Sequence, residues 1–258
     1  MDKQILMANL SWVDYQERVQ NGKEAVLLPI GAIEQHGPHL PLATDLLIAE
    51  AIAKRCADAI GAIVAPTITY GCKSQCRSGG GNHFCGTTSL DAKTLIDHLV
   101  DVVREFARHG VHKLGLVDIH YENDMYVLEA CDVAIRELKY AGVTDFKIVK
   151  PNVNAILDLE RLRPFYPEGF SSIALEHAGK LETSVMLYLH PELVQQDRYP
   201  PDVFARFPPY DAFPPETQHV PPSGALCPTS GACRELGETV IVNLVDGCTA
   251  AFRQGLAL

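Results

Sequence analysis

The sequence predicts an α/β fold, a three-layer sandwich with a mostly parallel central sheet. Short apolar runs alternate along the chain with longer stretches in which apolar residues recur at helical spacing. The short runs are apolar throughout, which is typical of parallel strands that helices cover on both faces of the sheet. The chain has 258 residues, of which 47% are hydrophobic, enough for one large core. We therefore predict a single domain over residues 1–258.

The strands are predicted from apolar runs that are bounded by turn residues. The first run is followed by a helical stretch and then a second run, a pattern that predicts a βαβ unit. The third run, K-L-G-L-V-D-I-H, follows a long helical stretch, and the fourth is closed by Pro151. The four predicted strands are 25–30, 62–66, 113–120 and 146–150.

Helices are predicted where apolar residues recur every three or four positions. The first three such stretches end at or near a glycine, the residue that most readily adopts the left-handed conformation that closes a helix. Ser89 or Asp91 can cap the second helix, and Ser230 can cap the last. The five predicted helices are 45–60, 92–109, 123–140, 176–190 and 232–254.

Residues 199–228 contain most of the prolines of the chain and cannot form a regular helix or a central strand. Aromatic residues within the segment predict that it packs as an ordered excursion over the surface, toward a neighbouring subunit. A disordered linker is the alternative. The aromatic residues are Phe204, Phe207, Tyr210 and Phe213.

Charge and hydropathy exclude several classes of partner. The formal net charge is 22 minus 32, or -10, and no run of lysine and arginine is present, so we predict that the protein does not bind nucleic acid. No stretch of about 18 uncharged apolar residues predicts a membrane span, and the N-terminus lacks the pattern of an export signal. We therefore predict a cytoplasmic protein in which most of the eight cysteines are reduced, buried small residues.

One cysteine-rich stretch, C-K-S-Q-C-R-S-G-G-G-N-H-F-C, permits a second interpretation. Its three thiols and one imidazole are in principle enough for a tetrahedral zinc site. The spacing matches no common zinc module and three glycines lie inside it, which favours thiols that line a flexible loop. The residues concerned are Cys72, Cys76, His83 and Cys85.

Carboxylates and imidazoles follow two of the predicted strands. Glu34 and His36 come shortly after the first strand, and Asp45 begins the next helix. His120 and Glu122 stand at the end of the third strand. Ligands of parallel sheets bind where the strands deliver their carboxyl ends, so these five side chains converge if the two strands are neighbours. Five donors suit two divalent ions about 3.5 to 4 Å apart, although either group alone is equally typical of a solvated loop.

The frame L-P-I-G-A-I-E-Q-H-G-P-H-L-P-L-A-T-D resembles the signature of the creatininase (creatinine amidohydrolase) family. Four further segments are similar to segments of creatininases, in the same order and at similar separations. They are K-S-Q-C-R-S-G-G-G-N-H-F-C-G-T-T-S-L, I-H-Y-E-N, F-Y-P-E-G-F and L-E-H-A-G-K-L-E-T-S. The resemblance extends from about Trp12 to the last helix.

The resemblance implies an α/β sandwich, often assembled as a hexamer, with two divalent ions, zinc or manganese, in each subunit. It implies that Asp45 bridges the ions, that Glu34 and His120 complete one site, and that His36 and Glu122 complete the other. It further implies catalytic roles for His177, which transfers a proton, and for Glu122. The pocket residues that it implies are Ser78, Tyr121, Asn154, Ile173 and Glu182.

The chemistry expected of such a site is hydrolysis. Two divalent ions lower the pKa of a bridging water from 15.7 toward about 7, which provides a hydroxide nucleophile, and they polarise the substrate carbonyl. A histidine such as His177, titrating near neutrality, is suited to carry the proton to the leaving group.

The sequence departs from the creatininases in the substrate pocket. Where they have two tryptophans, this chain has Asn154 and, in the second place, Ile173 with Ala174. The acidic residue expected before the catalytic histidine is also missing, and Ile119 replaces the glycine expected before His120.

We therefore predict a two-metal hydrolase that opens a small polar cyclic substrate, with a creatinine-like cyclic amide as the first hypothesis. Ring opening of a cyclic ketone or lactone such as a keto-inositol is an alternative within the same class. A non-catalytic metal-binding subunit is the alternative from a different class.

Overall fold

The computed structural model describes residues 4–167, 169–170 and 173–258, and it confirms the predicted α/β class. Four strands form a parallel sheet in the order β2–β1–β3–β4. All four correspond to predicted strands and are slightly shorter than predicted. They are Val26–Ile30 (β1), Ile63–Val64 (β2), Lys113–Asp118 (β3) and Lys147–Val149 (β4).

Helices precede, connect and follow the strands. They are Trp12–Val19 (α1), Thr44–Ile60 (α2), Cys76–Gly79 (α3), Ala92–Arg108 (α4), Asp124–Tyr140 (α5), Val153–Ile156 (α6), Leu159–Leu162 (α7), Lys180–Leu189 (α8) and Arg234–Leu256 (α9). The predictions for α2, α4 and α5 are confirmed, and Gly61 ends α2 in the left-handed conformation, with φ 71°. Within the described ranges, each helix is too short or too polar to cross a bilayer.

Two details of the helix predictions are wrong. The helix predicted to start at Glu176 starts at Lys180, because Ala178 adopts a left-handed conformation with φ 54° and Gly179 is extended. His177 therefore lies on a loop. The N-cap of α9 is Cys233 and not Ser230, whose hydroxyl donates a hydrogen bond to Asp202 instead.

The sheet separates two hydrophobic cores. Along β1, Val26, Leu28 and Ile30 face the core formed with α4 and α5, whereas Leu27 faces the core formed with α2, α8 and α9. This alternation follows from the two-residue period of a strand, and it explains why the run is apolar throughout.

The proline-rich segment packs on a small core of its own, as predicted for an ordered excursion. Ala205, Val220 and Leu226 are buried there, and Phe207 packs against them. The other three aromatic residues on which the prediction rests are exposed, so they do not contribute to this packing. They are Phe204, Tyr210 and Phe213. Tyr199, at the start of the segment, packs against the larger core instead.

Candidate active site

The loops after β1 and β3 start side by side, because the two strands are paired and Ile30 is in register with Asp118. This confirms that the strands are neighbours. The loop after β1 provides two donors, the first turn of α2 provides one and the loop after β3 provides two, and all five side chains are almost fully buried. They are Glu34, His36, Asp45, His120 and Glu122.

Asp45 contacts both imidazoles of this cluster. Its Oδ1 lies 3.3 Å from Nε2 of His36, and its Oδ2 lies 3.0 Å from Nδ1 of His120. Oε2 of Glu34 also lies 3.1 Å from Nδ1 of His120. Asp45 thus stands between the two halves of the cluster.

The donor atoms form three overlapping groups, in each of which the atoms lie within 4.8 Å of one another, and one of these groups joins Glu34 and His36 to His177. Glu122 lies with Glu34 and His120, where we had predicted it beside His36. The group of His36 and Asp45 is completed by Glu182, whose Oε2 lies 3.8 Å from Nε2 of His36. Glu182, predicted as a pocket residue, therefore also adds a sixth donor to the cluster.

Both imidazoles are oriented as metal-binding histidines are. Nδ1 of His36 donates to the backbone carbonyl of Glu34 at 3.1 Å, and Nε2 of His120 donates to the backbone carbonyl of Cys72 at 3.1 Å. Such a bond to the outer nitrogen fixes the ring and leaves the inner nitrogen as a ligand. The inner nitrogens are those that face Asp45.

Two buried atoms of the cluster that could bind a metal have no hydrogen-bond partner among the described residues. They are Oε1 of Glu34 and Nε2 of His36. Buried polar atoms are rarely left unpaired, so these two indicate a missing ligand. Gly79 allows Glu34 to occupy its place, since a Cβ atom at residue 79 would lie 1.9 Å from Oε1. The donor set, oxygen and imidazole nitrogen, fits zinc and manganese.

The charges of the cluster favour a cation. Burial lowers the pKa of His36, but Asp45 and Glu182 outweigh this effect and raise it to about 10. Burial opposes charge on His120 as well, yet Glu34 and Asp45 raise its pKa well above the usual value. The carboxylates that keep these two rings protonated in the metal-free protein also provide the negative charge that stabilises a bound divalent cation.

Gln35 determines the tautomer of His177. The side-chain amide of Gln35 donates its two protons to the carbonyl oxygens of Gly79, at 2.9 Å, and Gly224, at 3.1 Å. Nε2 of His177 lies 2.9 Å from this amide nitrogen and 2.8 Å from the backbone oxygen of Gln35. The two amide protons point to the carbonyls and the backbone oxygen can only accept, so we assign the proton to Nε2. Nδ1 is therefore the basic nitrogen of the neutral ring.

His177 lies beside the cluster, with its ring centroid 4.5 Å from that of His36. We had predicted that it titrates near neutrality. Burial and the neighbouring His36 instead lower its pKa to about 4, although Glu34 acts in the opposite direction. The ring is thus neutral at neutral pH.

A cavity of about 130 Å³ opens next to the cluster. It is lined by the predicted pocket residues Ser78, Tyr121, Asn154, Ile173 and Glu182. The hydroxyl of Ser78 donates to Oε1 of Glu122 at 2.6 Å, so in this structure it supports Glu122. The structure therefore brings the predicted pocket residues together around one cavity.

Asn123, which the sequence analysis did not identify, connects the loops of the site. It is fully buried, accepts a hydrogen bond from the backbone N–H of Cys72 at 2.8 Å, and donates to the carbonyl of Gly31 at 3.2 Å and to Oδ1 of Asp118 at 3.1 Å. The backbone carbonyl of Cys72 in turn accepts a hydrogen bond from Nε2 of His120. The position of Asn123 directly after the H-x-E pair is a signal that sequence analysis can use.

The alternative zinc site in the cysteine-rich stretch is not formed. Cys72 is buried in the core, while His83 and Cys85 are exposed. Among the described residues, no cluster of potential metal ligands includes these side chains or Cys76. All eight cysteines of the chain are free thiols.

His39 lies outside the donor cluster and makes the stability of the fold depend on pH. It is fully buried, with Nε2 2.8 Å from the hydroxyl of Thr183, and burial and the nearby His36 lower its pKa to about 4. An unfolded histidine has a pKa of about 6.5, so as the pH falls below this value the unfolded chain takes up a proton that the folded chain does not. The metal-free protein should therefore lose about 3 kcal/mol of unfolding free energy through this residue by pH 4.

Urea unfolding of the metal-free protein at pH 7 and pH 4 measures this contribution. In a His39→Gln variant the loss between the two pH values should be smaller by about 3 kcal/mol. His98→Gln, at an exposed position of α4, is the control and should behave as the parent does. Equal losses in the parent and in His39→Gln would contradict the assignment.

An α/β sheet with a buried cluster of oxygen and nitrogen donors at its carboxyl edge, next to a histidine base and a small cavity, defines a metal-dependent hydrolase. The sequence model of the creatininase family, described as creatinine amidohydrolase, matches residues 8–252. The chain belongs to the creatininase family.

Three curated relatives have different activities. The chain is 45% identical over 255 residues to a creatinine amidohydrolase of Pseudomonas putida, with 98% of each chain covered. It is 32% identical over 234 residues to a mycofactocin precursor peptide peptidase of Mycolicibacterium smegmatis, covering 86% of this chain and 82% of that one. It is 28% identical over 177 residues to a 3-dehydro-scyllo-inosose hydrolase of Thermotoga maritima, covering 67% and 53%.

Solved creatininases have the same fold. A manganese creatininase superposes with a TM-score of 0.95 at 44% identity, covering 99% of this chain and 100% of that one. A glutamate-to-glutamine mutant creatininase of the Zn-Zn type superposes with a TM-score of 0.96, also at 44% identity, covering 100% of both chains.

Proposed function

We propose that this protein is a two-metal hydrolase that opens a small cyclic amide, and that it does so in the one domain predicted for residues 1–258. The observation that carries the proposal is the donor cluster, in which both imidazoles direct an inner nitrogen toward Asp45 while His177 lies beside them. The similarity to a creatinine amidohydrolase over 98% of the chain supports the reaction type.

The proposed ligands are Glu34, His36, Asp45, His120 and Glu122, with Glu182 next to His36. Zinc or manganese bound there would lower the pKa of water and polarise the substrate carbonyl. Burial raises the pKa of Glu182 to about 8, and His36 acts against this shift. Glu182 therefore stays close to its protonated state until a cation adds positive charge beside it.

His177 is the proposed proton carrier. Its neutral ring accepts a proton at Nδ1, and because its pKa is low, the protonated ring readily passes that proton to the leaving nitrogen. The bond from Nε2 to the backbone of Gln35 keeps the ring in this orientation through both transfers. Ser78 holds Glu122 through its hydroxyl, and Asn123 fixes the loop that carries His120.

Assays of the metal-free protein reloaded with Zn²⁺ or Mn²⁺ test the proposal. We expect turnover of ring amides such as creatinine and hydantoin with either metal and loss of turnover in EDTA. Binding of less than one equivalent of metal, together with no turnover of any ring, would contradict the proposal and favour a non-catalytic subunit.

Ring opening of a cyclic ketone is the second candidate function. The similarity to a 3-dehydro-scyllo-inosose hydrolase supports it, as does the amide of Asn154 at the cavity, which can bind a hydroxyl group. An oxidised inositol in the same assay separates the two functions, because its turnover without turnover of ring amides would favour the ketone.

We further propose a cytoplasmic homo-oligomer, a hexamer by the resemblance, with the proline-rich segment at the subunit contact. Phe204, Tyr210 and Phe213 are more than half exposed, and large exposed aromatic groups commonly mark contact surfaces. Eight free thiols are consistent with a reducing compartment. Light scattering tests the assembly, and a monomeric mass at micromolar concentration would contradict it.

A further inference from the structure

The cavity beside the donor cluster has an aliphatic wall. Nine of the side chains that line it are branched aliphatic groups. Four of them are buried in the core, and the other five are partly exposed and form the wall. The five are Ile119, Val153, Leu157, Ile173 and Leu181. All except Ile173 belong to one hydrophobic cluster that continues into the core beneath the sheet.

The charged groups that line the cavity outside the donor cluster already have partners within the protein. Asp118 and Asp124 both pair with Lys150, whose side chain is only 6% exposed. Glu176 accepts a hydrogen bond from the thiol of Cys227 at 3.1 Å and another from a backbone N–H. Asp118 and Glu176 are therefore not free to recognise a polar or charged part of a substrate, and Lys150 compensates the charge of Asp124.

The described residues that line the cavity include neither lysine nor arginine. A substrate whose distal part is a phosphate or a carboxylate would find no counter-charge there, and its desolvation would be unfavourable. A polar ring without substituents would leave the aliphatic wall in contact with water. An aliphatic group on the ring would instead remove both that wall and itself from water.

The cavity volume limits the size of the substrate. An apolar cavity of about 150 Å³ holds one benzene molecule, so about 130 Å³ holds a single small ring or a ring edge with a short branched substituent. The reacting carbonyl must lie at the donor cluster, which places the rest of the molecule against the wall.

We infer that the substrate is an uncharged five- or six-membered cyclic amide that bears a short branched aliphatic substituent, and that Val153 and Leu157 select for this substituent. The inference rests on the proposed function. The reaction adds water across the ring amide: a C–O bond forms, the ring C–N bond breaks, and the leaving nitrogen takes a proton, so that an open-chain carboxylic acid results.

Two matched series of rings test the inference: creatinine and 5-isopropylcreatinine, and hydantoin and 5-isopropylhydantoin. One buried methylene contributes about fourfold in binding, so we expect kcat/KM to be about 50-fold higher with the three-carbon substituent. Val153→Thr keeps the volume of the side chain and should lower kcat/KM about tenfold more for the isopropyl rings than for the plain rings. Val242→Thr is the matched control, because Val242 does not line the cavity and is 44% exposed.

Leu157→Asn should have a larger effect in the same direction, and thermal unfolding of each variant shows whether the fold is kept. Equal or higher kcat/KM for the plain rings would overturn the inference and leave the proposed function intact. If neither series is turned over, the proposed function fails. Calorimetric binding of the same rings to the metal-loaded protein then decides, since tighter binding of the isopropyl rings supports the aliphatic site and equal binding overturns it.

Discussion

Replacing Asp45 with asparagine should lower kcat for ring hydrolysis by about 1,000-fold or more. Asp45 contacts the inner nitrogens of both His36 and His120, so the change removes a negative charge shared by both halves of the cluster. An amide also presents an N–H group on one side, where a cation needs an oxygen. Metal analysis of the purified variant should show that at least one of the two ions is lost.

Asp58→Asn is the matched control, because Asp58 lies on the same helix and is exposed to solvent. It should keep the metal content and the activity of the parent. Full activity of Asp45→Asn with two bound ions would refute the bridging position of Asp45.

The second large effect is expected for His177→Gln, which should lower kcat by about 100-fold to 10,000-fold while the two ions stay bound. The glutamine amide can still donate to the backbone oxygen of Gln35, so the loop keeps its anchor, but the basic nitrogen is lost. Added imidazole should restore part of the activity, which a purely structural defect would not permit.

His98→Gln, at an exposed position of α4, is the control for this prediction and should leave kcat unchanged. A variant at residue 177 that loses its metal together with its activity would assign the histidine to the ligand set. A variant that keeps full activity would remove it from the mechanism.

The sequence was sufficient to predict the sheet and the donors on it, for local reasons. The apolar runs define the strands because both faces of a parallel sheet are covered. Polar residues that directly follow β1 and β3 lie together at the carboxyl edge of the sheet because the two strands are parallel. Glu34 and His120 could therefore be predicted to meet on the condition that β1 and β3 are neighbours, which the strand order confirms.

Other features depend on contacts between residues far apart in the chain, and no local pattern encodes them. The tautomer of His177 depends on Gln35, 142 positions away, and the start of α8 depends on a left-handed residue at Ala178. Glu182 joins His36 because that bend directs the first turn of α8 toward the cluster. Asn123 was missed because an asparagine at the start of a helix is ordinarily interpreted as a cap.

The aliphatic wall and the donor cluster belong to different parts of the architecture. The donors lie mainly on loops that follow adjacent strands, whereas Val153 lies in α6 and Leu157 directly after it, in a segment that holds no predicted ligand. For protein engineering, this means that the wall can be randomised at these two partly exposed positions while the metal ligands stay fixed. A library built in this way would vary the substrate-contacting wall while the hydrolytic site stays unchanged. It would show how readily a family with this scaffold acquires new specificities.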